Sequence, residues 1–186
     1  MGVSKDERAF SSVAFSVRKR LPWLHVNLVT AFLAASVVGL FEDTIAAYTA
    51  LAVLLPVVAG QSGNSGAQAL AVTMRGLALR ELRPRQWRRV LFKEINVGFF
   101  NGVAIAVVAA VCAGLWSGSV GLALVLALSM TISLVVAGLA GAGIPILLTM
   151  AGQDPAQSSS IFLTTVTDIA GFFSFLGIAT LLAGML

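Results

Sequence analysis

The sequence predicts an all-α, polytopic membrane protein of five transmembrane helices, with its N-terminus in the cytoplasm and its C-terminus outside. Three observations carry that prediction. Hydrophobic residues make up 58% of the 186 residues and charged ones only 11%. Apolar runs cover residues 24–41, 95–116, 120–149 and 169–186, and each approaches or exceeds the ~20 residues a helix needs to cross a bilayer core. All 12 basic residues fall in two groups: Lys5, Arg8, Arg18, Lys19 and Arg20, then Arg75, Arg80, Arg83, Arg85, Arg88, Arg89 and Lys93. Two segments separated by a pair of spans share one side, and basic loops favour the cytoplasm.

Residues 1–22 form a polar, linker-like cytoplasmic segment, and residues 23–186 form the five-helix membrane domain. The stretch SVRKRLPW, residues 16–23, brings the chain to the interface, where Trp23 and the arginines sit at headgroup depth. Span one covers about 24–41. Glu42 and Asp43 occupy the outer turn, where they either attract cations at an outer mouth or complement a helix N-terminus. Span two runs from about Thr44 to Arg75, too long for a plain crossing, so a tilt or a break is expected. A basic linker with Pro84 and Trp87 leads to span three, about 94–116, and an outer turn, 116–119. Span four, 120–150, carries Gly138, Gly141, Gly143 and Pro145, which predict a kink or a close helix contact. Residues 151–155 turn at the cytoplasmic face, and span five, about 156–185, ends outside. An odd number of spans argues against two equal inverted halves in one chain. A symmetric pore would then need a second subunit.

Several function classes drop out. A nucleic-acid patch is a poor reading of the basic groups, because no soluble portion is left to carry it. Cys112 stands alone among apolar residues, with no disulfide or metal partner. The first apolar run is too long for a secretory signal, and no small-residue cleavage site follows it.

Two features do not belong in lipid. Asp168 lies at mid-span in SSSIFLTTVTDIAGFF, and an intramembrane acid is by default a functional group. Gln157, Ser160, Thr164, Asp168 and Gly171 recur every three or four residues and share one helix face, opposite Ile161, Val166, Ile169, Phe173 and Leu176. No Lys or Arg lies within a span to pair with Asp168, which leaves a cation or a protonated, hydrogen-bonded carboxyl. The second feature is PVVAGQSGNSGAQ, residues 56–68. Pro56 removes a backbone donor, and Gly60, Gly63 and Gly66 remove side chains. Carbonyls freed there would coordinate ions, as in discontinuous helices. Tight helix packing is the alternative, but Asn64 and Gln68 add polar groups that packing does not need.

Two other readings compete. Residues 60–63, GQSG, match the GxSG of rhomboid-like intramembrane serine proteases, but the nucleophile needs a base and His25 is the only histidine. A non-conducting interaction subunit would use the glycine faces for assembly.

The stretches SVRKRLPWLHVNLVTAFLAASVV, PVVAGQSGNSGAQALAVTMRGLAL, KEINVGFFNG and TTVTDIAGFFSFLGIATLL together resemble the membrane domain of MgtE-type magnesium channels, through most of the chain. The resemblance implies a two-fold homodimer of five-helix protomers in a plasma (bacterial inner) membrane. It further implies a dimer-axis pore lined by helices two and five. In that family the aspartate of TD-x-x-GFF recognises the ion, which falls here on Asp168. Thr164 and Ser160, a first and a second turn earlier on the same helix, contribute to the site, and Gly60 and Gly63 line it beside Asn64. Family members often carry Asn where this chain has Ala67, so no polar contact is carried over there. The implied cargo is Mg2+, with Mn2+ or other divalent cations as further candidates. Full-length relatives also carry a cytoplasmic N domain and paired CBS domains that sense Mg2+. These would be partners if this chain is a piece of a longer one, and a naturally short homologue is the alternative.

Overall fold

The structure is a computed structural model that describes residues 7–82 and 86–186, without the side chains of Gln157 and Ser158. Lys5, Arg83, Pro84 and Arg85 therefore lie outside the described residues. Six helices follow one another: α1 (Val13–Gly39), α2 (Glu42–Ala47), α3 (Ala50–Ala78), α4 (Trp87–Ser117), α5 (Val120–Met150) and α6 (Pro155–Leu181). A short 3-10 turn, Ala183–Met185, comes last. Among the described residues there is no strand. By length and composition α1, α4, α5 and Ser159–Leu181 of α6 can each cross a membrane.

The helix boundaries follow local chemistry. Ser12 begins α1 by accepting from the Phe15 N–H at 3.4 Å, so the helix starts inside the segment read as a linker. Gly118, at φ +68°, ends α4, a backbone conformation that favours glycine. Ser119 then caps α5 by accepting from the Leu122 N–H at 3.2 Å, and Asp154 caps α6 through the Ala156 N–H at 3.0 Å.

The expected break in span two falls at Tyr48 and Thr49, before the 56–68 stretch and not within it. Residues 42–47 form a separate short helix, and α3 then runs unbroken through Pro56 and all three glycines. Pro56 leaves one rung of the ladder empty. However, the buried face of α3 steps through Leu51, Leu54, Val58, Ser62, Gly66, Ala69 and Thr73. That spacing is helical across the whole polar stretch, so tertiary packing holds the helix where its own propensity is poor.

α5 is the central helix, packed against α3, α4 and α6, while α1 lies outside on α6. Val125, Met130, Ala137 and Ala142 of α5 are fully buried, whereas only Ala34 of α1 is buried. Glycines set the closest approaches. A Cβ on Gly98 of α4 would stand 2.5 Å from the Leu134 carbonyl oxygen, and one on Gly138 of α5 2.5 Å from that of Glu94. Gly141 likewise faces the backbone of Gly66. The close helix contact expected for span four therefore occurs on both its α3 and α4 sides.

Candidate ion-binding site

Asp168 lies where α6 meets α1. A cavity of about 230 Å³ is lined by Asp168, Thr164 and Thr165 of α6 and by Asn27, Thr30 and Ala31 of α1. Asp168 is half-buried, and among the described residues no Lys or Arg pairs with it. Each threonine donates its hydroxyl hydrogen back into its own helix. Thr164 Oγ1 donates to the carbonyls of Ser160 and Ile161, both at 3.0 Å, Thr165 Oγ1 to Ile161 at 2.7 Å, and Thr30 Oγ1 to Asn27 at 2.9 Å. A hydroxyl whose hydrogen is engaged offers only lone pairs. With the carboxylate and the Asn27 amide oxygen, the cavity thus presents acceptors to a cation or to its waters.

The other expected site residues are divided. Ser160 is half-buried and supplies the carbonyl that holds Thr164. Gly60 is exposed and Gly63 half-buried, and a Cβ on either would meet nothing within 4 Å. Their carbonyls stay in the unbroken helix, which corrects the expectation of freed carbonyls. Gly66 is a packing residue instead, since a Cβ there would come within 2.9 Å of Leu163 Cδ1. Asn64 lines a different cavity, of about 200 Å³, with Gln61, Ser65, Gln68 and Asn101. Glu42 and Asp43 are exposed in the first turn of α2, where a helix N-terminus favours acids.

The polar stripe expected on α6 divides, with Thr164 and Asp168 lining the cavity against α1 and Gly171 elsewhere. Gly171 is buried against α3, its Cβ position 3.4 Å from Ser62 Oγ and 3.6 Å from Val58 Cγ1. Of the apolar stripe, Val166 and Phe173 are exposed and Ile161 and Leu176 buried, and Thr167 is buried as well. Helical spacing places residues on a face but does not say which neighbour covers it. Asn27 and Thr30 escaped the sequence reading. Their signal was an amide and a hydroxyl three residues apart in an otherwise apolar span.

The protease geometry is missing. Ser62 is fully buried and donates Oγ to the Ala59 carbonyl at 3.1 Å. His25 is exposed on α1, its Nδ1 2.8 Å from the Leu21 carbonyl oxygen. Ser62→Ala is expected to leave ion flux within about twofold of the parent. A fluorophosphonate probe should label neither protein, and stoichiometric labelling at Ser62 would restore the nucleophile.

Residues 55–178 match the family described as MgtE, divalent cation transporter. The chain is 36% identical over 162 residues to the magnesium transporter MgtE of Bacillus subtilis (strain 168), covering 87% of this chain and 36% of that protein. It is 32% identical over 163 residues to the magnesium transporter MgtE of Enterococcus faecalis, and 36% identical over 163 residues to that of Thermus thermophilus. Each of these two matches covers 88% of this chain and 36% of the relative. The chain thus spans about a third of the length of the curated relatives it matches.

Proposed function

The chain belongs to the MgtE family of divalent cation transporters, and from that premise we propose that it conducts hydrated Mg2+ across the plasma membrane, with Asp168 as the selecting residue. The observation that carries the reading is the acceptor-rich cavity around Asp168. Mg2+ dehydrates reluctantly and is usually bound through one or two carboxylates while keeping several waters. One carboxylate among neutral oxygens suits such an ion. Its waters donate hydrogens outward, to the lone pairs that Thr164, Thr165, Thr30 and Asn27 hold ready.

In this reading α3, about 44 Å long at 1.5 Å per residue, also crosses the membrane and brings the spans to five, with the N-terminus inside and the C-terminus outside. Two protomers pair about a two-fold axis, and α3 and α6 of each line the pore. Gly60 and Gly63 keep the helix surface low, so the ion's waters reach backbone carbonyls. A carbonyl in the ladder still has a second lone pair to offer, so the route needs no break. Mn2+ and other divalent ions of similar coordination would follow the same path.

The test is Mg2+ flux into liposomes containing only the purified chain. Flux above that of protein-free vesicles is expected, and its absence would favour a non-conducting assembly subunit. Within that assay Gly63→Val separates pathway from packing. A Cβ at Gly63 meets nothing within 4 Å in the protomer, so folding and dimer content should hold while flux falls at least tenfold. Normal flux through a dimer carrying Gly63→Val would remove this stretch from the pathway.

A further inference from the structure

A cavity of about 450 Å³ between α4 and α5 is apolar and lined by side chains such as Trp87, Leu91 and Met150, as expected of a surface facing lipid tails. The cleft between α3 and α4 is different. A cavity of about 160 Å³ is bounded by Ser65 and Gln68 of α3, Lys93, Glu94 and Asn101 of α4 and Gly138 of α5. It shares Ser65, Gln68 and Asn101 with the cavity that also holds Gln61 and Asn64. We propose that this cleft is a second cation site, separate from Asp168, in which Glu94 is the charged ligand and the Lys93 ammonium competes with the cation for it.

Glu94 is 3% exposed, seven residues inside α4 and so about 10 Å along the helix from Trp87. Its backbone is held close to α5. At Gly138 the two helices are so close that a Cβ would stand 2.5 Å from the Glu94 carbonyl oxygen, and Gly98 repeats the approach one turn on. Among the described residues, the side chains of Gln61, Asn64, Ser65, Gln68 and Asn101 make no hydrogen bond to another protein group. Gln61, Asn64, Gln68 and Asn101 are exposed on this chain and Ser65 is half-buried, so within a membrane these groups need water or an ion. Beside a buried carboxylate, their oxygens make a hard-cation ligand set.

The ion pair points the same way. Lys93 Nζ lies 2.5 Å from Glu94 Oε1, yet the lysine side chain is 55% exposed and the glutamate 4%. The ammonium sits on a flexible four-carbon stem and can return to water, whereas the carboxylate is enclosed by protein. Removing the ammonium alone would strand a buried charge. A cation entering as it leaves keeps that charge compensated. Na+ and Mg2+ share the required chemistry, and the test distinguishes them.

The experiment uses the purified full chain carrying Asp168→Asn, so that the first site contributes no carboxylate. Equilibrium binding is measured with 22Na+ and, separately, with 54Mn2+ standing in for Mg2+. At least one label should bind, and the label that binds identifies the ion class. Adding Glu94→Gln should weaken that binding at least tenfold. Adding Lys93→Met should strengthen it several-fold and enlarge the rise in melting temperature that the same ion produces. The lysine variant keeps the test sound if the glutamate variant misfolds. Binding of neither label, or a label that Lys93→Met binds no more tightly, would overturn the proposal. Failure of Asp168 to act in transport would leave this result untouched, because the two sites share no residue.

Discussion

Asp168→Asn is expected to reduce Mg2+ flux at least tenfold while the protein folds as well as before. The substitution keeps volume and much of the hydrogen bonding but removes one charge from each protomer. A divalent ion about 4.5 Å from a carboxylate gains roughly 7 kcal/mol of Coulomb attraction at an effective dielectric of about 20. Desolvation opposes that gain. Even a fifth of it, about 1.4 kcal/mol, is a tenfold effect in occupancy. Thermal stability should hold or rise, because an acid within a span is costly and Asp168 has no internal base to offset it. Asp168→Glu should fall between, its charge kept but displaced by a methylene. Flux and melting temperature measured together on the three proteins decide the matter. An asparagine variant that transports like the parent would make Asp168 a structural acid.

Gly98→Ala is expected to lower thermal stability sharply, although it adds a single methyl group. Its Cβ would lie 2.5 Å from the Leu134 carbonyl oxygen, 3.0 Å from Val135 Cα and 3.1 Å from the Leu134 carbonyl carbon. All three are backbone atoms, so no rotamer change can relieve the clash and α4 must separate from α5. Overpacking of this kind costs about 1–3 kcal/mol or more, against a gain of at most about 1 kcal/mol in helix propensity. The melting temperature in detergent should therefore drop by several degrees. Gly60→Ala is the control. It meets nothing within 4 Å and should melt at or above the parent temperature. Equal melting temperatures for the two variants would mean that the α4–α5 contact is looser than the distances say.

Much of this was legible in one dimension because it depends on local composition. Four of the five expected spans are helices that satisfy length and apolarity, and α5 covers the same residues as the expected span four. Asp168 stood out because no lipid-facing helix tolerates an unpaired acid at its centre. The amides of the 56–68 stretch were likewise visible as polar groups out of place. All of these are properties of neighbours along the chain, and helix periodicity converts them directly into faces.

Contacts between distant segments were not legible in the same way. Three glycines in one stretch looked alike, yet Gly66 packs against α5 and α6 while Gly60 and Gly63 remain open. The same packing kept α3 whole where its own residues suggested a break. Glu94 read as the first residue of a span, and only the crossing of α4 over Gly138 showed it as a buried acid. Asn27 and Thr30 came to line the same cavity as Asp168 only when α1 was laid along α6, more than a hundred residues away in sequence. Which face of a helix is covered, and by what, depends on side chains brought together from far apart. No local pattern of composition encodes that, and so tertiary packing alone decided it.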